Sequence, residues 1–495
     1  MISSDNIALK DATKSMVDGS YDEDFASAED KVGGNRSYNH FYDPLDTTYG
    51  KGLSDSPPDR RIVLGTNSFV WASVSNSIGY NYRGEPISAP TPFGFKWTFY
   101  PGRNVNTSNI WSWPNARGYE WLGLTATNQL ERQTNLLFMF RAVGQVMHLL
   151  EDASQPQHVR NEQHWDMFPC WRSPIEDYGS LHVKDLNYQH AMLDWRGDGF
   201  SKLEDFWDRH LYDGTSSQPL NDSENSMKST NTLGLAEWCN GNFIGDRHQY
   251  EEYLNPDEEY PLDPPPIGYY PYPSLRKSTD YLSVDRQLSY AVRPSFLKSG
   301  AQIDRLYLDK VGAGVHFNNH SVLTYLGAYF AGRGFEVTPT TIKDDNVLKA
   351  YHDILIPKAV EYSAGLLDYY FRGTLSATVN GTTVGIRNTS GQDFKGGTFI
   401  LLKDDASGNR TNVDQFALGA IAPGGILSNG QSGIRTENDL SGANTNTQYI
   451  LVYQGTIGID GSANPLDPVD AGIGIGATAF TPASTGNWCG GIRQV

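Results

Sequence analysis

Apolar residues recur at helical spacing along most of the first 373 residues and at strand spacing after them. Residues 7–16 carry a short helical pattern. Over residues 119–150, Leu122, Leu130, Leu137, Phe140, Val143 and Met147 fall near the 3.6-residue period, which predicts one long helix with a core-facing stripe. Helical patterns continue over 183–252, 282–332 and 345–371. In the last of these Leu348, Tyr351, Leu355, Ala359 and Tyr362 hold the period, and Pro357 is expected to kink or interrupt it. Past Gly373 the helical period disappears. Short β-branched or apolar runs at 382–386, 398–402 and 448–454 alternate with turn signals at Gly391, Gly396-Gly397, Gly408-Asn409 and Gly424-Gly425. The expected fold class is therefore multidomain: a mostly α-helical domain over 1–373 followed by an all-β sandwich domain over 374–495. The Gly-rich end, 471–495, is either an irregular tail or an edge strand. Residues 45–118, rich in Pro, Gly, Asn and Ser, read as an irregular insertion, and Pro264-Pro265-Pro266 stiffens a loop over 253–274.

A length of 495 residues agrees with more than one hydrophobic core. No apolar run reaches the roughly 18 residues that a membrane-spanning helix needs. The start, Met1-Ile2-Ser3-Ser4-Asp5, lacks the basic and then apolar stretch of a signal peptide, so a processed start is expected. The net charge of -18 argues against a broad electrostatic grip on nucleic acid or an anionic membrane, and no stable nucleic-acid partner is expected. It leaves phosphate chemistry open, because a bound cation inverts the local field. Cys170, Cys239 and Cys489 lack any Cys-x-x-Cys spacing and are poor metal ligands. One disulfide, with Cys170 and Cys239 as the favoured partners, would suit a secreted protein.

Candidate chemistry concentrates between Gly144 and His158. His148 and Asp152 stand four apart in a run with no proline between Tyr119 and Pro156, so both side chains leave the same helical face. Gly144 lies one turn earlier, where the missing side chain leaves room for an ion or for a neighbouring backbone, at about 1 kcal/mol of helix propensity relative to Ala. Pro156 ends the helix, and a turn at Gln155-Pro156 would swing His158 back beside the helix end. A His/Asp pair at this spacing is by itself more often a surface ion pair or a helix end. The apolar run from Leu136 to Phe140 before it, and a third imidazole after it, favour metal binding. His316 and His320 are also four apart, but Gly312, Gly314 and Asn318-Asn319 suggest a helix start with no carboxylate nearby, and no metal role is assigned there.

The pattern His-x-x-x-Asp-x-x-Gln-Pro-x-His, read as His148, Asp152, Gln155, Pro156 and His158, resembles the central motif of the zinc-dependent phospholipase C and fungal single-strand nuclease family. Upstream, the acidic run ending in Asp22-Glu23-Asp24 and the segment Asn39-His40-Phe41-Tyr42-Asp43-Pro44 look like that family's acidic ligand and its His-Phe-Tyr-Asp-Pro segment. The resemblance covers residues 17–180 by motif and, more weakly, the region up to 373. It implies a secreted protein with two to three Zn2+ ions. By resemblance, Asp24, His40, His148 and Asp152 hold the first ion, with Asp152 bridging to a third if its other ligands exist, and His158, His164 and Glu176 hold the second. The family has a His four residues before the last of these, where this chain has Arg172; His164 is the candidate for that imidazole and His182 the poorer alternative. The family's N-terminal Trp and first-helix His have no counterpart before Asp24, since the first His is His40 and the first Trp is Trp71.

The expected function is hydrolysis of phosphodiester bonds through a metal-activated water, with Asp24 and Asp152 as catalytic residues and Asp24 as the candidate general base. A phospholipase C-like release of a phospholipid head group, with contact to a membrane surface, is the leading reading. A single-strand nuclease of the same family and a secreted binding protein with a structural metal cluster are the alternatives. Phe93, Phe95, Trp97, Phe99, Tyr100, Trp111, Trp113 and Trp121 either wall the cleft for an acyl glycerol or a base, or form the core that holds the insertion down. Glu237 and Asn240 either line the cleft or close a helix end. Nothing in the sequence assigns substrate-binding residues.

Overall fold

Asn128 decides where the central helix begins. Its side-chain oxygen accepts the backbone N–H groups of Leu130 at 2.8 Å and Glu131 at 3.2 Å, an N-cap that satisfies two donors left over at the first turn. The expected helix over 119–150 is consequently two helices. The computed structural model describes residues 7–24, 39–45, 67–73, 109–162, 173–182, 200–212, 214, 233–245, 288–296, 299–310, 315–323, 340–380, 383–417, 420–427, 448–458 and 473–480. Among them the helices are α1 (Leu9–Asp24), α2 (Ser68–Ser73), α3 (Trp113–Thr125), α4 (Gln129–Asp152), α5 (Pro174–His182), α6 (Leu235–Asn242) and α7 (Asp345–Tyr370). The strands are β1 (Leu288–Phe296), β2 (Gln302–Lys310), β3 (Phe317–Leu323), β4 (Thr340–Thr341), β5 (Leu375–Asn380), β6 (Thr383–Asn388), β7 (Phe394–Asp404), β8 (Arg410–Ala417), β9 (Ala420–Ile421), β10 (Ile426–Leu427), β11 (Tyr449–Ile457) and β12 (Ile473–Phe480). The architecture is mixed helix and β, with every paired strand antiparallel.

Leu122 and Leu130, expected in the core, are exposed, whereas Val143 is buried as expected and Phe140 and Met147 pack against the core partly buried; α4 also buries Met139, Ala142, Val146, Leu149 and Leu150. Helix α1 runs beside α4 in the same direction: the Ser15 hydroxyl donates to the Leu137 carbonyl at 2.7 Å, and further along Arg141 pairs with Asp22 at 2.6 Å. A Cβ on Gly144 would land on the carbonyl oxygen of Met16, and one on Gly19 would land on that of Arg141. The two helices therefore touch backbone to backbone, and the space at Gly144 is filled by a neighbouring chain segment. Helix α7 continues through Pro357 without interruption.

The region 282–332, expected to be helical, supplies strands. Residues β1 to β4 form one sheet in that order, and along β1 the side chains of Arg293 and Ser295 are more covered than those of Val292, Pro294 and Phe296, a two-residue alternation. Pro294 is tolerated because β1 is an edge strand. This sheet is part of the same core as the helices, contributing Tyr307, Leu308 and Val322 to a cluster that also contains Trp71, Val146, Trp207 and Tyr362. His316 is exposed just before β3, and His320 is fully buried within it. On extended chain four residues span roughly 13 Å, so these two imidazoles do not converge.

His320 gives the fold an acid-sensitive point. Its Nε2 lies 3.2 Å from the Asn242 carbonyl, and burial, with the charges of Lys310 and Arg160, pulls its pKa down to about 3. The unfolded chain then binds one more proton than the folded chain between about pH 6.5 and 3. The stability contributed by neutral His320 is complete above pH 6.5 and is lost as pH falls towards 3. In urea titrations at pH 7.5 and 5, His320→Gln is expected to lose about 2 kcal/mol less than the parent over that interval.

Beyond residue 373 the runs at 382–386, 398–402 and 448–454 coincide with β6, β7 and β11. One sheet has the order β10-β6-β5, and another the order β12-β11-β7-β8 with β9 also on β7. Leu375, Val384 and Ile386 of the first sheet share a buried cluster with Phe394, Phe399, Leu401, Leu451 and Tyr453 of the second. The other face of the second sheet packs Leu402, Ile450, Val452 and Ile475 against Leu124 and Trp121 of α3. Polar contacts reinforce that seam: Arg410, fully buried, binds Asp404 through two nitrogens and donates to the Leu124 carbonyl at 2.6 Å. Arg132 reaches back to the Gly408 carbonyl at 2.9 Å. Strand β12, at the sheet edge, takes up part of the Gly-rich end.

Candidate metal centre

The ends of α1 and α4 meet because the helices run parallel in backbone contact. Asp24 closes α1, and His148 and Asp152 occupy the last turns of α4. His40 comes from the segment 39–45, which is pinned from two sides: Ser68 N–H donates to the Phe41 carbonyl at 3.0 Å, and Tyr42 N–H to the His158 carbonyl at 3.1 Å. The Tyr42 hydroxyl adds a bond to Asp208 at 2.9 Å.

Asp24, His40 and His148 can each offer one ligand atom within 4.8 Å of the others, a group able to hold a metal ion. Asp24 Oδ1 lies 3.5 Å from both His40 Nδ1 and His148 Nε2. Asp152 Oδ2 stands beside them, 2.9 Å from His40 Nδ1 and 3.3 Å from His148 Nε2. Nitrogen and oxygen ligands at zinc bond lengths, tetrahedrally arranged, are about 3.3–3.4 Å apart. His148 Nε2 and Asp152 Oδ2 are buried and have no hydrogen bond despite their neighbours. Close approach without a hydrogen bond is what atoms sharing a cation show, and the donor set fits a cation of the zinc type.

The electrostatics agree with that fit. Burial alone lowers both imidazoles, but the charge of Asp152, helped by Glu23 and Asp24, pushes His40 up to about 10. Asp152 and Asp24 likewise outweigh burial at His148 and push it up to about 9. Burial raises Asp152, yet the charges of His148, His158 and His40 hold its carboxyl well below the usual range. The carboxylates thus call for positive charge, and a metal ion would take the place of the imidazole protons.

His158 follows the turn at Gln155-Pro156 and is carried on a 3-10 turn, His158–Arg160. Its Nδ1 faces the His40 carbonyl at 3.2 Å, its ring stacks on Phe41 at 4.7 Å, and its Nε2 lies 3.5 Å from Glu176 Oε1 on α5. A ring nitrogen bonded to a carbonyl fixes the tautomer, so that the other presents a lone pair that could hold a metal. His158 also touches the first group, with Nδ1 3.6 Å from Asp152 Oδ1. His164, expected beside His158 and Glu176, lies outside the described residues. His182 is turned into its own helix, with Nδ1 2.9 Å from the Tyr178 carbonyl and its ring stacked on Tyr178.

The remaining candidates among the described residues are scaffold. Trp111 and Trp113 are buried in the core, and Trp121 packs against the C-terminal sheet; Phe93, Phe95, Trp97, Phe99 and Tyr100 lie outside the described residues. Glu237 is fully buried and accepts backbone N–H groups from Arg209, Leu211, Tyr212 and Gly234. Asn240 donates to the Val159 carbonyl at 2.5 Å, and its own carbonyl accepts from Arg160 at 2.7 Å, so α6 braces the turn that carries His158. Cys239 is a free buried thiol whose Sγ–H points at the Ser154 carbonyl, which corrects the expected pairing with Cys170.

No protein-family model matches the chain, and neither does any curated protein.

Proposed function

We propose that the chain is a zinc-dependent hydrolase of phosphodiester bonds, phospholipase C-like, built as a helix-rich catalytic part over 1–373 with a β-sandwich over 374–495. The observation that carries this reading is the convergence of Asp24, His40, His148 and Asp152, all nitrogen and oxygen donors, from three separate stretches of chain. Those four would hold one ion, and His158 and Glu176, with His164, a second. Zinc held there would supply a water of lowered pKa and would neutralise charge growing on a phosphoryl group.

The chain's own residues divide the remaining work. Asp152 stays anionic because three imidazoles surround it, so it balances cationic charge at the base of the site. Asp24 and Glu176, whose side chains are 47% and 38% exposed, form the solvent side, while His40 and His158 at 2% and 5% form the floor. Substrate therefore approaches over the two acids. The oxygen of Asp24 that does not face the imidazoles is the atom left to accept a proton from water. Phe41, stacked on His158, keeps water from the back of that ring.

The test is elemental analysis of protein never exposed to chelator, run with turnover of phosphatidylcholine, single-stranded DNA and an activated phosphodiester. Two zinc ions per chain and release of the phosphorylated head group are expected. Preferred cleavage of the DNA would move the assignment to the nuclease branch; zinc without turnover of any of the three would make the cluster structural. Protein free of zinc would end the metal reading.

A further inference from the structure

Glu23 is fully buried at the end of α1, one residue before Asp24. Consecutive helical residues diverge by about 100°, so the two acids serve different sides of one imidazole. Asp24 Oδ1 faces Nδ1 of His40 at 3.5 Å, whereas Glu23 Oε1 lies behind the ring, 3.7 Å from Nε2, a charge-pair distance rather than a hydrogen bond, and that buried nitrogen makes no hydrogen bond among the described residues. The same Glu23 oxygen accepts the indole N–H of Trp71 at 2.8 Å. Trp71 is itself fixed: it is 1% exposed on α2, and its carbonyl accepts from Asn109 at 2.8 Å.

We propose that Glu23 is a positioning residue for the metal centre, its carboxylate standing behind the Nε2–H edge of His40 so that the ring presents Nδ1 to the ion. This rests on the metal reading above. A carboxylate is costly to bury unless charge and hydrogen bonds meet it, and here Trp71 holds one oxygen against an imidazole edge. The geometry also sets His40 apart from the other two histidines. His148 turns Nε2 to the donor cluster, and His158 turns Nε2 to Glu176, with Nδ1 on a backbone carbonyl. His40 turns Nδ1 inward, and the acceptor behind its Nε2 is a carboxylate rather than a backbone carbonyl. Support of this kind changes metal affinity by about 10–100-fold. The arrangement also ties α2 to the centre, through Trp71, Glu23 and His40 in turn.

The test compares zinc affinity of the parent and of Glu23→Gln by competition with a chromophoric chelator. Glutamine keeps an oxygen for the Trp71 N–H and removes the negative charge that faces His40 Nε2. Zinc binding weakened about 10–100-fold, with the circular dichroism spectrum kept, is the expected result. A second measurement uses the zinc-loaded parent alone: nitrogen-15 spectra of labelled histidine should show His40 protonated on Nε2 and metallated on Nδ1. Equal affinity in the variant, or metal on Nε2 of His40 in the parent, overturns the proposal, and the second readout decides even if the variant does not fold. A parent that takes up no zinc refutes the metal reading itself, an outcome distinct from a parent and variant that bind equally.

Discussion

Asp152→Asn is expected to remove zinc from the first site and to lower phosphodiester hydrolysis by orders of magnitude, while barely moving the melting temperature of the metal-free protein at pH 8. Asp152 stands among three imidazoles, with one oxygen 2.9 Å from His40 and 3.3 Å from His148 and the other 3.6 Å from His158. No other carboxylate touches all three among the described residues. Asparagine has the same shape and keeps one oxygen, so the packing around the end of α4 survives, but the charge does not. Breaking a buried ion pair normally costs about 3–5 kcal/mol because a charge is left uncompensated. Here the stranded charges can leave. His40 and His148 hold protons up to about 10 and 9 mainly because Asp152 outweighs their burial, and once it is neutral they deprotonate. The measurements are zinc content, kcat/KM on the three substrates and a thermal melt. A variant that hydrolyses all three at the parent rate would refute the zinc-hydrolase reading.

Gly144→Ala is expected to destabilise the protein by about 1–3 kcal/mol and to weaken zinc binding with it. On propensity alone the change would stabilise α4 by about 1 kcal/mol. The new Cβ, however, falls on the Met16 carbonyl oxygen, a backbone atom that cannot swing aside. Helix α1 must then move away from α4, stretching the Ser15 to Leu137 bond and the Asp22 to Arg141 pair and drawing Glu23 and Asp24 from the site. Gly118→Ala in α3 is the control, since nothing lies within 4 Å of its added Cβ. There the propensity gain should appear as a small rise in melting temperature. Equal gains at both positions would show that α1 and α4 do not pack as described.

The sequence by itself determined the parts of this protein that depend on neighbours along the chain. His148 and Asp152 share a face because they are four apart on a helix, and the turn at Gln155-Pro156 returns His158 to the helix end because proline cannot extend it. The strands at 382–386, 398–402 and 448–454 were legible for the same reason, as short apolar runs between glycine turns. The tertiary structure decided what depends on partners far away. An N-cap at Asn128 divided a continuous apolar period between two helices, and Leu122 and Leu130 were left exposed. Strand pairing turned 288–296, 302–310 and 317–323 into sheet, since β1 gains its ladder from β2 and not from its own residues. Gly144 could have faced an ion or a backbone, and only the approach of α1 settled which. Glu23 carries no motif of its own; its position behind His40 exists because Trp71, 48 residues away, holds it there. Local spacing can place ligands on one face, but the orientation of an imidazole is set by whatever is packed behind it.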